Sequence, residues 1–311
     1  MPVIIAHRGA SGYLPEHTLP AKAMAYAMGA DFLEQDVVAT RDDELVVLHD
    51  IHLDRVTDVA QRFPARARAD GRYYVRDFDL DEIRALNVTE RLDEAGRPVY
   101  PKRFPPGSSR FGVHTLAEEL AFVRGLNDAT GGTTGVYPEI KRPAWHREEG
   151  IDLAASLLDV LAAHGYEGPD DPVFVQCFDG EEVRRLRGEL GCRMRLVQLI
   201  GDNSWGEAAT DFDRLCSETG LADLAQAADA IGPWVNRLYT GGEGGEKPRS
   251  TGLVERAHNA GLLVHPFTFR ADDLAPGFDR FGDMVRYFCT DLGVDGLFTD
   301  FPDRVHQLLA V

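Results

Sequence analysis

The chain is poor in positive charge. It carries 33 Lys and Arg against 51 Asp and Glu, a formal net charge of −18 at pH 7. A nucleic-acid binder would present a basic face, and so would a protein held electrostatically on anionic lipid, so this balance argues against both partners. It would also repel a phosphate-bearing substrate at long range, so any anion site must be local, built from a bound cation and a few Arg or Lys. Cysteine is scarce too. Cys177, Cys192, Cys216 and Cys289 are scattered, with no CxxC pair and no zinc-finger spacing, which argues against a disulfide framework and leaves buried thiols. No run of about 18 apolar residues occurs, so no membrane-spanning helix and no stable membrane insertion are expected. Met1–His7 lacks the charged n-region and long apolar h-region of a signal peptide. A cytoplasmic protein and a periplasmic one whose signal had been removed both fit. Short-period repeats and low-complexity tails are absent.

What is present is an ordinary globular composition, 44% hydrophobic and 27% charged over 311 residues, enough for one ample core. Length alone would suggest about two domains, but single α/β barrels run this long. Strand-like runs fall at Val3–Ala6, Phe32–Val38, Leu45–Leu48, Gly135–Ile140, Val173–Phe178, Met194–Ile200, Ala230–Trp234, Leu262–Phe269 and Val294–Thr299. Helical spacing marks Leu19–Met28, Leu116–Leu126, Ile151–His164, Glu181–Leu190, Leu221–Ala228, Leu253–Ala260 and Phe281–Leu292. This β-then-α order predicts a mostly parallel sheet closed as a TIM-type (β/α)₈ barrel, one domain over 1–311. The count of about nine runs is one too many for that barrel. The link from Val38 to Leu45 is too short for a crossover helix, so that unit reads as a degenerate repeat or a local hairpin. Residues 51–113, rich in Arg, Asp, Pro and Gly, read as an inserted subdomain over one end of the barrel. Thr240–Pro248, with its Gly-Gly-Glu-Gly-Gly, reads as a mobile loop.

The polar residues cluster at strand ends. His7 and Arg8 close the first strand, Glu34 and Asp36 lie near the end of the second, His49 and Asp50 follow Leu48, and Glu139 and Lys141 close the strand at Pro138. In a (β/α) barrel those ends form the active-site rim. Residues two apart on a strand share a face, so Glu34 pairs with Asp36, and Glu139 with Lys141. Three carboxylates facing one another need a cation, and an all-oxygen set suits Ca²⁺ or Mg²⁺ rather than zinc, with Ca²⁺ favoured by open coordination. A phosphodiester fits the whole set. Arg8, Lys141 and the cation would stabilise charge on the equatorial oxygens, one histidine would deprotonate the attacking oxygen, and the other would protonate the leaving one.

The ordered motifs resemble the glycerophosphodiester phosphodiesterase family. They are His7-Arg8-Gly9-Ala10, Pro15-Glu16-His17-Thr18, Glu34-Gln35-Asp36, Val46-Val47-Leu48-His49-Asp50, Glu139-Ile140-Lys141 and Gly293–Asp300. Leu14–Met24, Gln176-Cys177-Phe178-Asp179 and Val264-His265-Pro266-Phe267-Thr268 are most similar to its bacterial periplasmic, GlpQ-like type, which shares His17 where the wider family usually has Asn. The resemblance implies a phospholipase-C-like phosphodiesterase barrel with the insertion at 51–113. It implies His7 and His49 as the acid–base pair, Glu34, Asp36 and Glu139 as ligands of a divalent cation, commonly Ca²⁺, and Arg8 and Lys141 on the phosphate. Substrates would be small glycerophosphodiesters such as glycerophosphocholine and glycerophosphoethanolamine, with glycerol 3-phosphate and an alcohol as products. A homodimer is compatible with this. Three side expectations follow: His17 either touches the site or packs near it; His265 packs or contacts substrate; Phe178, Trp145 and Phe267 form an apolar wall for the glycerol carbons or belong to the core. The alternatives are a related phospholipase C/D-type barrel acting on intact phospholipids, which would need a membrane-docking face, and a non-catalytic surface-binding protein, which would be expected to have lost catalytic residues.

Overall fold

The structure is a computed structural model that describes residues 1–242 and 246–310. Eight strands run parallel: Val3–Ala6 (β1), Phe32–Ala39 (β2), Gly135–Ile140 (β4), Phe174–Cys177 (β5), Arg195–Ile200 (β6), Ala230–Pro233 (β7), Leu263–Val264 (β8) and Gly296–Thr299 (β9). A further strand, Leu45–Val47 (β3), pairs antiparallel with β2. The Val38–Leu45 link is thus a local hairpin, which accounts for the extra strand-like run. The neighbour order is β8-β7-β6-β5-β4-β2-β1-β9. Backbone bonds from Phe298 N to Pro266 O (3.0 Å) and from Phe269 N to Phe298 O (2.8 Å) bring β9 back against β8 and nearly close the barrel. The expected strand over Leu262–Phe269 is regular only over β8, because Pro266 has no N–H to give the ladder.

Helices surround the barrel. Leu19–Ala27 starts at Thr18, whose hydroxyl accepts from Ala21 N. Leu116–Thr130 carries a Thr115/Glu118 capping box and stops at Gly131 in the left-handed region. Leu153–Ala163 and Gly180–Gly188 follow β4 and β5. The helix Phe281–Arg286 continues as a π turn to Asp291. A C-terminal helix, Pro302–Leu309, lies beyond the last expected strand, and Pro302 at its start was its local signal. The loop expected at 240–248 falls partly on residues 243–245, outside the described residues; the residues flanking it form a short ribbon, Tyr239–Thr240 with Arg249–Ser250.

Among the described residues, three apolar clusters hold the fold together. The largest lies between the strands' outward faces and the helices. A second joins Leu53, Val59, Phe78 and Ile83 of the 51–113 segment to Val38, Val46 and Leu48 at the ends of β2 and β3. Burying each such side chain contributes about 1.5–3 kcal/mol. The third fills the barrel's interior with Ile5, Phe32, Tyr137, Phe174 and Phe298.

Candidate active site

Alternation along the strands sets the site. Ile5, Phe32, Tyr137, Phe174 and Phe298 point inward. Two residues further on, the same face of the same strands presents His7, Glu34, Glu139, Gln176 and Asp300. The β2–β4 register sets Asp36 directly beside Glu139. One oxygen from each of Glu34, Asp36 and Glu139 lies within 4.8 Å of the others, and all three side chains are buried. Burial and the neighbouring Asp36 push the Glu34 carboxyl up to about 8. Burial likewise holds Glu139 well above the carboxylate range, with Asp36 adding to it against Lys141. Asp36 stays low despite burial, held by Lys141 and the two histidines His49 and His17. Its Oδ1 has no hydrogen-bond partner among the described residues. Three oxygen donors, two of them resisting ionisation and one with an orphaned oxygen, fit a divalent cation.

Each histidine at the site is braced from behind. His7 Nδ1 lies 2.6 Å from Asp300 Oδ1, and Asp300 Oδ2 accepts from Arg103 (2.8 Å) and Arg270 (2.9 Å). His49 Nδ1 lies 2.6 Å from Asp50 Oδ1, and Asp50 Oδ2 accepts from Arg91 (2.6 Å). With Nδ1–H donated to a carboxylate, Nε2 carries the lone pair and is left for chemistry. Burial and then Arg8 lower the pKa of both rings, to about 4 for His7 and about 3 for His49. Both are neutral bases at neutral pH.

Arg8 sits at φ 59°, a left-handed conformation that costs a non-glycine residue about 1 kcal/mol or more. Its N–H donates to Glu34 Oε2 (2.8 Å) and its carbonyl accepts from His17 N (3.0 Å), which fixes the turn. Its guanidinium is paired with Glu16 (3.0 Å), itself held by Arg91. The next residue, Gly9, has φ 87°, and a Cβ there would stand 2.9 Å from the Ala21 backbone, so this turn needs glycine. Lys141 Nζ lies 2.8 Å from Glu139 and 3.8 Å from Asp36, and these carboxylates hold its pKa up against burial.

His7, Arg8, Glu34, Asp36, His49, Glu139, Lys141 and Phe178 all border one cavity of about 460 Å³, with Phe267, Trp205 and Trp234 on its wall. Trp145 is elsewhere, stacked on Tyr74 against the 51–113 segment. His265 is also elsewhere, which corrects its place among the substrate contacts. It is 1% exposed, with Nδ1 2.8 Å from the Tyr137 hydroxyl in the interior layer, and Phe267 is the residue of that strand that reaches the cavity. His17 touches the site indirectly: its Nε2 lies 2.6 Å from Asp36 Oδ2 and orients that carboxylate. Sequence reasoning passed over Asp300, Asp50, Glu16, Arg91, Arg103 and Arg270 as site residues. Asp300, Asp50 and Glu16 stand in the motifs quoted above and carried a signal; the arginines are joined to the site only by tertiary contacts.

Residues 7–304 match the family model described as the glycerophosphoryl diester phosphodiesterase family. A glycerophosphodiester phosphodiesterase of Haemophilus influenzae is 42% identical over 99% of this chain and 89% of its own length. One from Treponema pallidum is 36% identical over 97% and 90% respectively. Among solved structures, an Oleispira antarctica phosphodiesterase in complex with the product sn-glycerol-3-phosphate superposes with a TM-score of 0.65 at 19% identity, covering 100% of this chain and 98% of that one. An Agrobacterium tumefaciens glycerophosphodiester phosphodiesterase gives 0.64 at 22% identity, covering 100% of both chains.

Proposed function

The chain belongs to the glycerophosphoryl diester phosphodiesterase family, and on that premise we propose that His7 and His49 act as its acid–base pair beside a divalent cation held by Glu34, Asp36 and Glu139. It is a phosphodiester hydrolase acting on a small molecule. Its substrates are glycerophosphodiesters such as glycerophosphocholine and glycerophosphoethanolamine, cleaved to glycerol 3-phosphate and an alcohol. The observation that carries this reading is that both histidines commit Nδ1 to a carboxylate while bordering the cavity that holds the acidic triad. Product-bound sn-glycerol-3-phosphate in the Oleispira relative supports the same substrate class.

Arg8 and Lys141 hold the phosphate oxygens, and Phe178 and Phe267 pack on the glycerol carbons. One neutral histidine accepts the proton of the attacking oxygen at Nε2. The diester's negative charge raises the pKa of the ring it faces, which favours the protonated form that the leaving oxygen needs. Asp300 and Asp50 fix each ring's tautomer and stabilise it when it is charged. When bound, the cation, Ca²⁺ before Mg²⁺, supplies a fixed positive charge against the phosphoryl oxygens. The segment 51–113 acts as an insertion beside the mouth, bringing Arg91 and Arg103 behind the two histidine–carboxylate pairs.

The test is release of glycerol 3-phosphate from glycerophosphocholine, with and without EDTA. Full activity after thorough metal removal rejects the cation. A near-normal kcat in His7→Ala or His49→Ala rejects the acid–base pair; a loss of about 10²–10⁴-fold is expected for each.

A further inference from the structure

The two histidines stand between two cavities. One is the aromatic-walled space of about 460 Å³ beside the acidic triad. The other, about 160 Å³, lies between the barrel mouth and residues 90–103, and His7, Arg8, His49 and Arg270 line both. A diester has two arms, and in a displacement at phosphorus the entering and leaving oxygens lie roughly in line. If the glycerol arm packs against Phe178 and Phe267, as proposed above, a phosphorus held between the histidines directs its other arm toward the smaller cavity.

That cavity contains a buried carboxyl that forms no ion pair among the described residues. Glu90 is 3% exposed, and its Oε2 has no hydrogen-bond partner among the described residues. The cations around it are spoken for. Arg91 pairs with Glu16 and Asp50, Arg103 with Asp272 and Asp300, and Arg270 with Asp300. A carboxyl kept only for the fold would be expected to take one of these partners. Burial and then Glu16 push the Glu90 carboxyl up to about 7, so near neutrality it can accept or donate. The cavity is also unsuited to a cation. Four arginines line it against Glu16, Asp300 and Glu90, and the Tyr100 ring is already covered by Arg103 at 3.7 Å. A quaternary ammonium would meet like charge and no open aromatic face.

We propose that this second cavity is the subsite for the departing alcohol and that Glu90 hydrogen-bonds a hydroxyl of that alcohol, so the enzyme prefers hydroxyl-bearing head groups to choline. This rests on the diesterase reading, and one experiment separates the two. kcat/KM is measured for glycerophosphoglycerol and glycerophosphocholine with the wild-type enzyme, Glu90→Ala and Glu90→Gln. The wild type should favour glycerophosphoglycerol by about tenfold, the worth of one good hydrogen bond. Glu90→Ala should bring the ratio close to one. Glu90→Gln, nearly isosteric and checked by its melting temperature, should lower the ratio too, and it decides the matter together with the wild-type profile if the alanine variant does not fold. Turnover of neither substrate sinks the diesterase reading and the subsite with it. Turnover of both with no preference, with choline preferred, or with a ratio unmoved by Glu90 replacement overturns the subsite and leaves the diesterase standing.

Discussion

Inside the barrel, Phe32, Tyr137, Phe174 and Phe298 fill one layer, while Glu34, Glu139, Gln176 and Asp300, each two residues further along the same strands, fill the next. Solvent exposure does not distinguish the layers, since both are buried. The lower layer is satisfied. Tyr137 stacks on Phe174 at 5.0 Å and meets Phe298 edge-on at 5.0 Å, and its hydroxyl is bonded to His265. Such aromatic pairs add about 0.5–1.5 kcal/mol each beyond their buried area. The upper layer is only partly satisfied. Two of its carboxyls are pushed toward the protonated form, and Asp36 Oδ1 and Gln176 Oε1 lack partners among the described residues. A fold selected only for stability would have continued the lower layer upward. On the function proposed above, a bound cation would complete the upper layer.

Making the upper layer resemble the lower one is the harshest test of that contrast. Glu139→Leu should cut kcat/KM by about 10³-fold or more, the equivalent of several kcal/mol of lost charge stabilisation. Combined with Lys141→Met, so that the buried ammonium 2.8 Å away does not lose its partner, it should not lower the melting temperature of the metal-free protein, because a buried ion pair is replaced by apolar side chains. Calorimetry and glycerol 3-phosphate release on the same preparations read both. A cation-free melting temperature well below wild type would show that the triad stabilises the fold and sink the contrast.

A step smaller is the loss of one brace. Asp300→Asn keeps the shape but removes the charge that fixes the His7 tautomer, and leaves Arg103 and Arg270 facing an amide. kcat should fall by about 10²-fold with KM little changed. Asp50→Asn should cost less, because Asp50 is 22% exposed at its side chain against 2% for Asp300, so water can replace part of its role. Equal losses from the two variants would remove the distinction between them.

These layers were legible in the sequence to different depths. Alternation made Glu34 with Asp36 and Glu139 with Lys141 same-face pairs before any coordinates, and strand-end position singled out His7 and His49. The parallel barrel was readable because β1, β2, β4, β5, β6 and β7 are short apolar runs separated by helices. His265 misled because parity is blind to depth: His265 and Phe267 share a face, and only the alignment of β8 with β7 tells which of them lies in the apolar layer. Arg91 and Arg103 were not readable as site residues. They sit in a segment of weak periodicity whose position depends on packing against Val38, Val46 and Leu48 across long sequence separations.

A pH titration of stability sharpens the contrast further. A carboxyl whose folded pKa is raised binds its proton more tightly when folded than when unfolded. Its protonated form therefore favours the fold, and stability falls as pH rises from the unfolded value through the folded one. For Glu34 that window runs from the ordinary glutamate value of 4.5 to about 8. The metal-free protein should lose about 5 °C of melting temperature across that range from this source. Saturating Ca²⁺ should abolish the loss, since the bound charge makes the ionised form the favoured one. Identical pH slopes with and without the cation would mean that the triad does not hold it.

The smallest effect comes from the lower layer, where function should be indifferent. Tyr137→Phe removes the hydroxyl bonded to His265 Nδ1 and leaves that buried nitrogen without a partner, which costs about 1–3 kcal/mol. The ring stays, so its contacts with Phe32, Phe174 and Phe298 remain. Denaturant unfolding should register the loss while kcat and the Ca²⁺-dependent gain in melting temperature stay at wild-type values. The triad lies one layer above and is anchored by the backbone of β2 and β4, whose six-residue pairing register does not depend on that hydroxyl. A fall in kcat comparable to that of Asp300→Asn would instead mean that the two layers are coupled through the strand Tyr137 shares with Glu139, and the division of labour between them would have to be given up.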